Sequence, residues 1–122
     1  MNSSPAVDAP SLAALLQDPD LLRSQVFIAG VWEGEGHTPV VDPANGRVVG
    51  QVSAVGAVAA ARATDSASAA FATWRGWTAA ERAAVLWRWH AAVLQAREDL
   101  ARILTAEQGK PLAEARGEID YA

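Results

Sequence analysis

The sequence contains no cysteine and only one lysine among its 122 residues. The absence of cysteine excludes disulfide bonds, thiolate metal sites and a cysteine nucleophile from this chain. Ten basic residues stand against fourteen acidic ones, so the formal net charge is −4 at pH 7. Because a basic footprint is what neutralises phosphates, we expect no nucleic-acid partner.

Long apolar runs are absent as well. The best candidate, residues 52–63, consists mostly of alanine, valine and glycine and carries Arg62, so it does not predict a membrane span. Residues 1–22 lack the basic start and apolar run of a secretory signal. The sequence therefore predicts no membrane partner and a cytoplasmic location.

Large apolar side chains are few. The hydrophobic fraction is 51%, but 28 residues are alanine, and leucine, isoleucine, valine and phenylalanine together number 27. Five tryptophans must therefore supply much of the buried area, at about 150–250 Å² each. This composition predicts a globular chain with a thin core.

Residues 1–25 are predicted to form a flexible amino terminus with short helical turns. Asn, Ser, Pro and Asp are frequent in the first ten residues, as is typical of a mobile start. Ser11 has the chemistry of a helix cap, and Asp18-Pro19 supplies a second cap followed by a first-turn proline.

Residues 26–53 are predicted to form a short antiparallel β-ribbon of two or three strands. Valine-rich runs alternate with glycine- and proline-containing breaks, as in strands and turns. The runs are Val26–Ile28, Val31–Trp32, Val40–Val41 and Val48–Val49, with Val52 after them. In the break 42–46, Pro43 suits a fixed φ and Asn45-Gly46 suits a positive φ. A ribbon this small needs a packing partner.

Residues 57–122 are predicted to be helical. A first helix covers about 57–73, and Thr78 with Glu81 forms a capping box at the start of the second. Gly109 and Pro111 end that helix and open the next.

Apolar residues recur at helical spacing and predict the buried faces. They are Val58, Ala61 and Phe71 in the first helix, Val85, Leu86, Trp89, Val93, Ala96, Leu100, Ile103 and Leu104 in the second, and Leu112, Ala115 and Ile119 in the last. No stop signal follows Ile119, so we expect the helical segment to be incomplete and truncated within a helix. The fold class predicted is thus an α+β fragment, a β-ribbon followed by three or four α-helices.

The segment TAAERAAVLWRWHAAVLQAREDLARILTAEQGKPLAEARGEIDYA, residues 78–122, is similar to the amino-terminal helices of aldehyde dehydrogenases. Within it, EQGKPLAEARGEI most resembles the succinate-semialdehyde dehydrogenase type. Upstream, LLRSQVFIAGVW, DPANGRVVGQV and FATWRGWTAAER keep the order and spacing of that family. The resemblance identifies the chain as the amino-terminal part of an aldehyde dehydrogenase α/β fold.

The chain departs from the family pattern at three places. Ala29 stands where Asn or Asp is usual, and a positive φ there costs alanine about 1–2 kcal/mol. Asp42 replaces the usual Asn, and no acidic cap stands near Gly56-Ala57. These departures concern local stability.

The resemblance implies oxidation of a small aldehyde with NAD or NADP in the full-length parent, which acts as a homo-oligomer, a dimer or tetramer, with the ribbon in its oligomerisation part. A Cys thiolate attacks the carbonyl, hydride passes to the nicotinamide, and a Glu-activated water releases the acid. The chain has no such cysteine, so we expect this chain alone to be inactive and to bind no cofactor. Succinate semialdehyde is the substrate that the resemblance favours, with glutarate semialdehyde or another aldehyde as the alternative.

The resemblance also lends one ligand site to the chain. In several aldehyde dehydrogenases an acidic residue before a Gly-Lys-Pro turn holds a structural monovalent cation with backbone carbonyls. The matching residues here are Glu107, Val40 and Val41. Oxygen ligands of this kind suit a hard cation.

Other candidate sites have simpler interpretations. The segment Gly34-Glu35-Gly36 lacks the third glycine and the following helix of a nucleotide loop, so it predicts a turn. His37 lies in that loop, and His90 sits between apolar neighbours as a half-buried or rim histidine.

The charged and aromatic clusters also have simple structural interpretations. Glu98 with Arg102, and Arg116 with Asp120, are spaced as solvated ion pairs within a helix. Four tryptophans could form a stacking platform, but core or interface packing is the better interpretation because few basic residues are interleaved with them. They are Trp74, Trp77, Trp87 and Trp89.

A second hypothesis is a non-catalytic helical interaction module. Alternating three- and four-residue spacing from Leu86 to Ile103 is typical of a coiled-coil seam, although only about three heptads support it.

Overall fold

A computed structural model describes residues 10–122 of the chain. Within these residues, two short 3₁₀ turns precede two β-hairpins and four α-helices. The turns are Leu12–Leu15 and Pro19–Leu21, the strands are β1 (Val26–Ile28), β2 (Val31–Glu33), β3 (Thr38–Val41) and β4 (Val48–Val52), and the helices are α1 (Gly56–Trp74), α2 (Ala79–Gln95), α3 (Arg97–Gln108) and α4 (Leu112–Tyr121). The predicted α+β class is confirmed. The strands form two separate antiparallel ribbons, β1-β2 and β3-β4.

The two 3₁₀ turns begin at the predicted caps. Ser11 Oγ accepts a hydrogen bond from the Ala14 amide at 3.4 Å, and Asp18 Oδ1 accepts one from the Asp20 amide at 3.0 Å. Leu12 and Leu16 are buried, and the first turn contacts α3. The region 1–25 was predicted to be flexible, and residues 1–9 of it lie outside the described part.

The β1-β2 hairpin turns through Ala29 and Gly30, whose φ angles are 53° and 84°. Two consecutive positive φ angles are what a two-residue type I′ turn requires, and alanine is disfavoured there. Phe27 lies opposite Trp32 in the register, with ring centroids 5.1 Å apart.

The β3-β4 hairpin turns through residues 42–46, as predicted. The Asp42 carboxylate accepts hydrogen bonds from the Ala44 amide and from Asn45 Nδ2, both at 2.8 Å. Gly46 has a φ of 73°. The register shifts between Val40 and Val41, and the extra residue is Val49, so the bulge lies in β4.

The two ribbons are joined through Ser24 and Ser53. The Ser24 carbonyl accepts hydrogen bonds from both the amide and the hydroxyl of Ser53, each at 2.8 Å. Helix α1 is tied to the first ribbon by an ion pair between Arg62 and Glu33. No side chain caps the start of α1, in agreement with the missing acidic cap.

The predicted buried face of α1 is wrong. Val58 and Phe71 are 79% and 56% exposed, Ala61 is also exposed, and the buried residue of this helix is Ala59. Strand β1 of the first ribbon contacts α1, and the described residues cover little of the rest of this helix.

The long helix predicted from residue 79 to 108 is interrupted at Ala96. The capping box is present at its start, where Thr78 Oγ1 accepts from the Glu81 amide and Glu81 accepts from the Thr78 amide. At Ala96 the backbone leaves the helical region, with φ −89° and ψ 7°, and α3 begins at Arg97. The break divides the proposed coiled-coil seam into two halves.

Helices α3 and α4 form the best-packed part of the described chain. Ala101 and Ala115 are fully buried where the two helices meet. Leu112 and Ile119 are half-buried, so the predicted inward face of α4 is confirmed. The inward positions of α3 are also half-buried, as are Val85 and Val93 on α2, whereas the prediction is wrong for Leu86 and Trp89, which are 53% and 68% exposed. The division of the chain at 1–25, 26–53 and 57–122 stays a prediction.

Candidate cation-binding hollow

A hollow of about 310 Å³ lies between the second ribbon, α3 and the segment that follows the second 3₁₀ turn. Residues 21–24 form the wall of the hollow on the side of this segment. Val40 of β3 lines the ribbon side, and Ile103 and Glu107 line the helix side. The hollow therefore brings together two of the three residues that the resemblance assigned to a monovalent cation.

The third predicted residue, Val41, does not line this hollow. It pairs with Val48 beside the β4 bulge and is 44% exposed, whereas Val40 pairs with Gly50 and is half-buried. Because the extra residue lies on β4, the alternation of β3 is kept, and the side chains of Val40 and Val41 point to opposite faces of the ribbon. No structural finding tests the assignment of Val41 as a ligand.

Glu107 lies in the last turn of α3. In the described part of the chain its carboxylate has no hydrogen bond or ion pair, and the nearby Lys110 pairs with Glu118 instead. The carboxyl end of a helix carries partial negative charge and unpaired carbonyls. A carboxylate at this end adds to that charge, so the position attracts a cation.

The end of α3 is held against the β3-β4 turn. Gly109 has a φ of 71°, and a Cβ at this position would lie 2.9 Å from Pro43 Cγ. Both observations require glycine there. This close approach fixes Glu107 relative to the second ribbon.

Arg23 is the one basic residue that lines the hollow. Its guanidinium lies 5.2 Å from the centre of the Trp32 ring and 3.9 Å from the Asp20 carboxylate. The charge of Arg23 is therefore shared with groups outside the hollow.

The remaining candidate sites gather no catalytic group. Between residues 10 and 122, no cluster of three or more His, Asp or Glu side chains is placed to hold a metal ion. His37 is exposed and lies 3.3 Å from Glu35. His90 is exposed rather than half-buried and meets Trp87 edge-on at 5.6 Å.

The Gly34–Gly36 segment is an irregular connection between the two ribbons, so the predicted turn is wrong. It leads from β2 into β3, and a Cβ at Gly36 would lie 3.0 Å from the Gln51 carbonyl of β4. The segment opens no helix, whereas a phosphate loop must do so.

The predicted ion pairs within one helix are replaced by pairs between two helices. Glu98 pairs with Arg116 at 2.9 Å instead of with Arg102, and Asp120 pairs with Arg97 at 2.6 Å instead of with Arg116. Arg97 also contacts Glu98 at 3.1 Å. The prediction was wrong because α3 and α4 lie side by side, which lets guanidinium groups bridge the helices.

This ion network shifts the ionisation of its members. The hydrogen bond from Arg116 lowers the pKa of Glu98, and the hydrogen bond from Arg97 lowers the pKa of Asp120. Both shifts mark carboxylates held in the charged form. Neither carboxylate has the raised pKa of a general acid.

The tryptophans do not form a core. Trp87 and Trp89 are each 68% exposed, while Trp74 is half-buried and its ring lies tilted against that of the 42%-exposed Trp77, with centroids 5.4 Å apart. Two shallow apolar hollows of about 410 Å³ each adjoin these rings. Core packing is therefore wrong for Trp87 and Trp89, which the described residues leave uncovered on different sides of α2.

Sequence reasoning missed Asp99. It is the one buried charged side chain in the described chain, and it accepts backbone hydrogen bonds from Gln17 and Asp18. A signal was present, since Asp99 lies three residues after Ala96 and four before Ile103 and so falls on the predicted buried face. A charge on such a face indicates a specific partner.

No helix among the described residues combines the length and apolar character needed to cross a bilayer.

Comparison with known proteins identifies the family. Residues 32–122, three quarters of the chain, match the aldehyde dehydrogenase family. The chain is 50% identical over 107 residues to a 3-sulfolactaldehyde dehydrogenase of Pseudomonas putida, covering 85% of this chain and 22% of that protein. It is 46% identical over 110 residues to a glutarate-semialdehyde dehydrogenase of Pseudomonas putida strain KT2440, covering 88% of this chain and 23% of that protein.

A crystal structure of succinate-semialdehyde dehydrogenase from Burkholderia pseudomallei superimposes with a TM-score of 0.83 at 51% identity, covering 87% of this chain and 23% of that one. The chain thus spans less than a quarter of the length of these relatives. Family match, identity and fold agree with the resemblance found in residues 78–122, and the chain belongs to the aldehyde dehydrogenase family.

Proposed function

We propose that this chain supplies the amino-terminal part of an enzyme that oxidises a short aldehyde with an anionic far end to the corresponding acid. The supporting observation is the chemistry shared by the similar proteins. 3-Sulfolactaldehyde carries a sulfonate, and glutarate and succinate semialdehydes carry a carboxylate, at the end opposite the aldehyde. Succinate semialdehyde is the substrate we put forward within this class.

The reaction consumes the aldehyde, water and an oxidised nicotinamide cofactor, and it releases the acid, the reduced cofactor and a proton. NAD or NADP would supply the hydride acceptor. The described residues form only antiparallel ribbons, whereas dinucleotide sites use a parallel sheet with a glycine-rich turn at a helix start. We therefore assign no cofactor contact to this chain.

The substrate proposal is tested on the enzyme that carries this chain as its amino-terminal part. We expect kcat/KM for succinate semialdehyde to exceed that for butanal, which has four carbons and no carboxylate, by at least about a hundredfold, since a paired carboxylate supplies a few kcal/mol. Equal values for the two aldehydes would contradict the proposal. Glutarate semialdehyde serves as the second anionic substrate. Comparison of its kcat/KM with that of succinate semialdehyde shows which chain length the enzyme prefers.

The 122-residue chain by itself is expected to be inactive. The acyl transfer step needs a thiolate, and this sequence contains no cysteine. The check is reduction of NAD and of NADP by the purified chain with succinate semialdehyde, followed at the absorbance of the reduced cofactor. Turnover above the rate without protein would overturn this expectation.

We also propose a structural monovalent cation at Glu107 with backbone carbonyls of Val40 and Val41. In support, Glu107 and Val40 line one hollow, and the Glu107 carboxylate has no protein partner among the described residues. The neighbouring end of α3 adds negative potential. Oxygen ligands and low charge suit sodium or potassium better than a transition metal.

The cation proposal predicts stabilisation by potassium. Binding to the folded chain alone raises the unfolding temperature in potassium chloride relative to tetramethylammonium chloride of equal ionic strength. Glu107→Gln should abolish this difference, while Glu114→Gln, which alters an exposed carboxylate on α4, should leave it intact. An equal difference in wild type and Glu107→Gln would refute the site.

A cytoplasmic homo-oligomer, a dimer or tetramer, completes the proposal. The outer face of the first ribbon supports an assembly role, because Phe27 and Trp32 lie opposite each other on it and are 59% and 43% exposed. Light scattering on the enzyme that carries this chain gives its subunit number. A monomer at micromolar concentration would contradict the oligomer.

A further inference from the structure

Residues 11–22 form a strap across α3. The strap contains the two 3₁₀ turns, and its buried side chains are Leu12 and Leu16, each 8% exposed. Short 3₁₀ turns contribute few backbone hydrogen bonds, so such a strap depends on contacts with its support.

One side chain of α3 makes hydrogen bonds to the strap. Asp99 is 5% exposed, and its Oδ1 accepts the Gln17 amide at 3.0 Å while its Oδ2 accepts the Asp18 amide at 2.8 Å. These two amides lie between the 3₁₀ turns, where no backbone acceptor is assigned to them. Both carboxylate oxygens are therefore used, as a buried charge requires.

Asp99 also occupies a favourable place on its own helix. It lies in the first turn of α3, where the amino-terminal partial charge stabilises a carboxylate. The residue before the helix, Ala96, has no side-chain hydrogen bond that caps α3. The carboxylate is thus held by its helix and directed at the strap.

The end of the strap and the two residues after it form one wall of the hollow. Residues 21–24 line the hollow opposite Ile103 and Glu107. At the far end of this wall the Ser24 carbonyl accepts the amide and the hydroxyl of Ser53, each at 2.8 Å. Asp99 holds the chain three residues before this wall, at Asp18, and Ser53 holds its far end, at Ser24.

We propose that Asp99 is the positioning residue of the hollow, acting through the Gln17 and Asp18 amides to keep residues 21–24 in place beside Glu107. As far as it concerns cation affinity, this inference rests on the proposed cation site. The two hydrogen bonds from the strap to Asp99, called the latch below, do not depend on a cation. Loss of the latch opens the wall without unfolding α3 and α4, whose packing centres on Ala101 and Ala115.

Hydrogen exchange followed by mass spectrometry on the full 122-residue chain tests the latch. In Asp99→Asn one oxygen becomes an amide group that faces a backbone N–H, so at least one bond is lost. We expect exchange in residues 11–24 to rise by about tenfold, the effect of one charge-assisted hydrogen bond, while α4 stays unchanged. The matched control is Asp120→Asn, which removes a carboxylate from the α3-α4 network and should leave residues 11–24 at their wild-type rate.

Repeating the exchange in potassium chloride and in tetramethylammonium chloride of equal ionic strength tests the link to the cation. Potassium should slow exchange around Val40 and Glu107 in wild type and in Asp120→Asn, and about tenfold more potassium should be needed in Asp99→Asn.

The outcomes separate the two proposals. Unchanged exchange of residues 11–24 in Asp99→Asn, or an equal rise throughout the chain including α4, overturns the latch. Faster exchange of the strap with an unaltered potassium requirement overturns the positioning role and leaves the cation site standing. No potassium effect in wild type overturns the cation site, while faster exchange confined to residues 11–24 in Asp99→Asn still supports the latch.

Discussion

Ala29 is the residue whose conformation fits its side chain least well. It is the one non-glycine residue with a positive φ in the described chain, at 53°, and it is followed by Gly30 at 84°. Asparagine accepts this conformation because its side chain bonds locally, whereas alanine gains nothing there.

We expect Ala29→Asn to raise the free energy of unfolding by about 1 kcal/mol, the cost that alanine bears in the left-handed region. Urea unfolding followed by circular dichroism measures this change. Ala54→Asn is the matched control, since Ala54 lies outside helices and strands and has no positive φ. A gain of equal size in both variants would point to a general effect of asparagine and contradict the turn argument.

Asp99 and Glu107 show what single residues reveal before a structure exists. Glu107 could be placed near the second ribbon only through the family resemblance, because no local pattern relates residue 107 to residue 40. Asp99 carried a local signal, an acid on an apolar helical face, yet its partners at Gln17 and Asp18 are more than 80 positions away. Local chemistry indicates that a partner is needed and does not say which one.

At the scale of elements, turns and caps were predicted well and helix packing was not. Asp42–Gly46 and the capping box of Thr78 with Glu81 act within five residues, so their chemistry is complete in the sequence. The break at Ala96 has no glycine or proline to announce it. The acidic pair Glu98-Asp99, favourable in a first turn, is the one local sign that a new helix starts there.

The α3-α4 ion network predicts a stability that depends on pH. Hydrogen bonds from arginine lower the pKa of Glu98 and of Asp120 in the folded chain. In the unfolded chain the pKa values of Glu98 and Asp120 are about 4.3 and 3.9. As the pH falls below about 5, the unfolded chain binds protons before the folded chain does. The stabilisation that the two charged carboxylates provide at higher pH is therefore lost as the pH falls toward their lower pKa values in the folded chain.

We expect the double variant Glu98→Gln with Asp120→Asn to be less stable than wild type near neutral pH and to show a flatter dependence between about pH 3 and pH 5. Urea unfolding at a series of pH values gives the slopes. Asp65→Asn, on the exposed surface of α1, should keep the wild-type slope. A slope in the double variant as steep as in wild type would assign the acid sensitivity to other groups, such as Glu81, whose pKa the Thr78 backbone amide also lowers.

At the scale of the whole molecule, the described chain buries little of its apolar surface. No large side chain is fully buried between residues 10 and 122, and Val58, Phe71, Trp87 and Trp89 are all more than half exposed. These four lie on α1 and α2, while the buried alanines lie mainly on α3 and α4. The sequence periodicity identified apolar positions correctly but could not say which of them the chain itself covers.

The exposed apolar face of α2 around Trp87 predicts self-association of the 122-residue chain. Leu86 and Trp87, 53% and 68% exposed, line one shallow apolar hollow there. Apolar surface of this kind associates in water, since burial contributes about 25 cal/mol per Å². We expect the mean mass from light scattering to rise with protein concentration, and Trp87→Lys to shift that rise to several-fold higher concentration by placing a charge on the face. Tyr121→Lys is the control, because Tyr121 is 95% exposed but lies at the end of α4. A monomeric mass at all concentrations, or equal effects of the two lysines, would show that this face does not drive association.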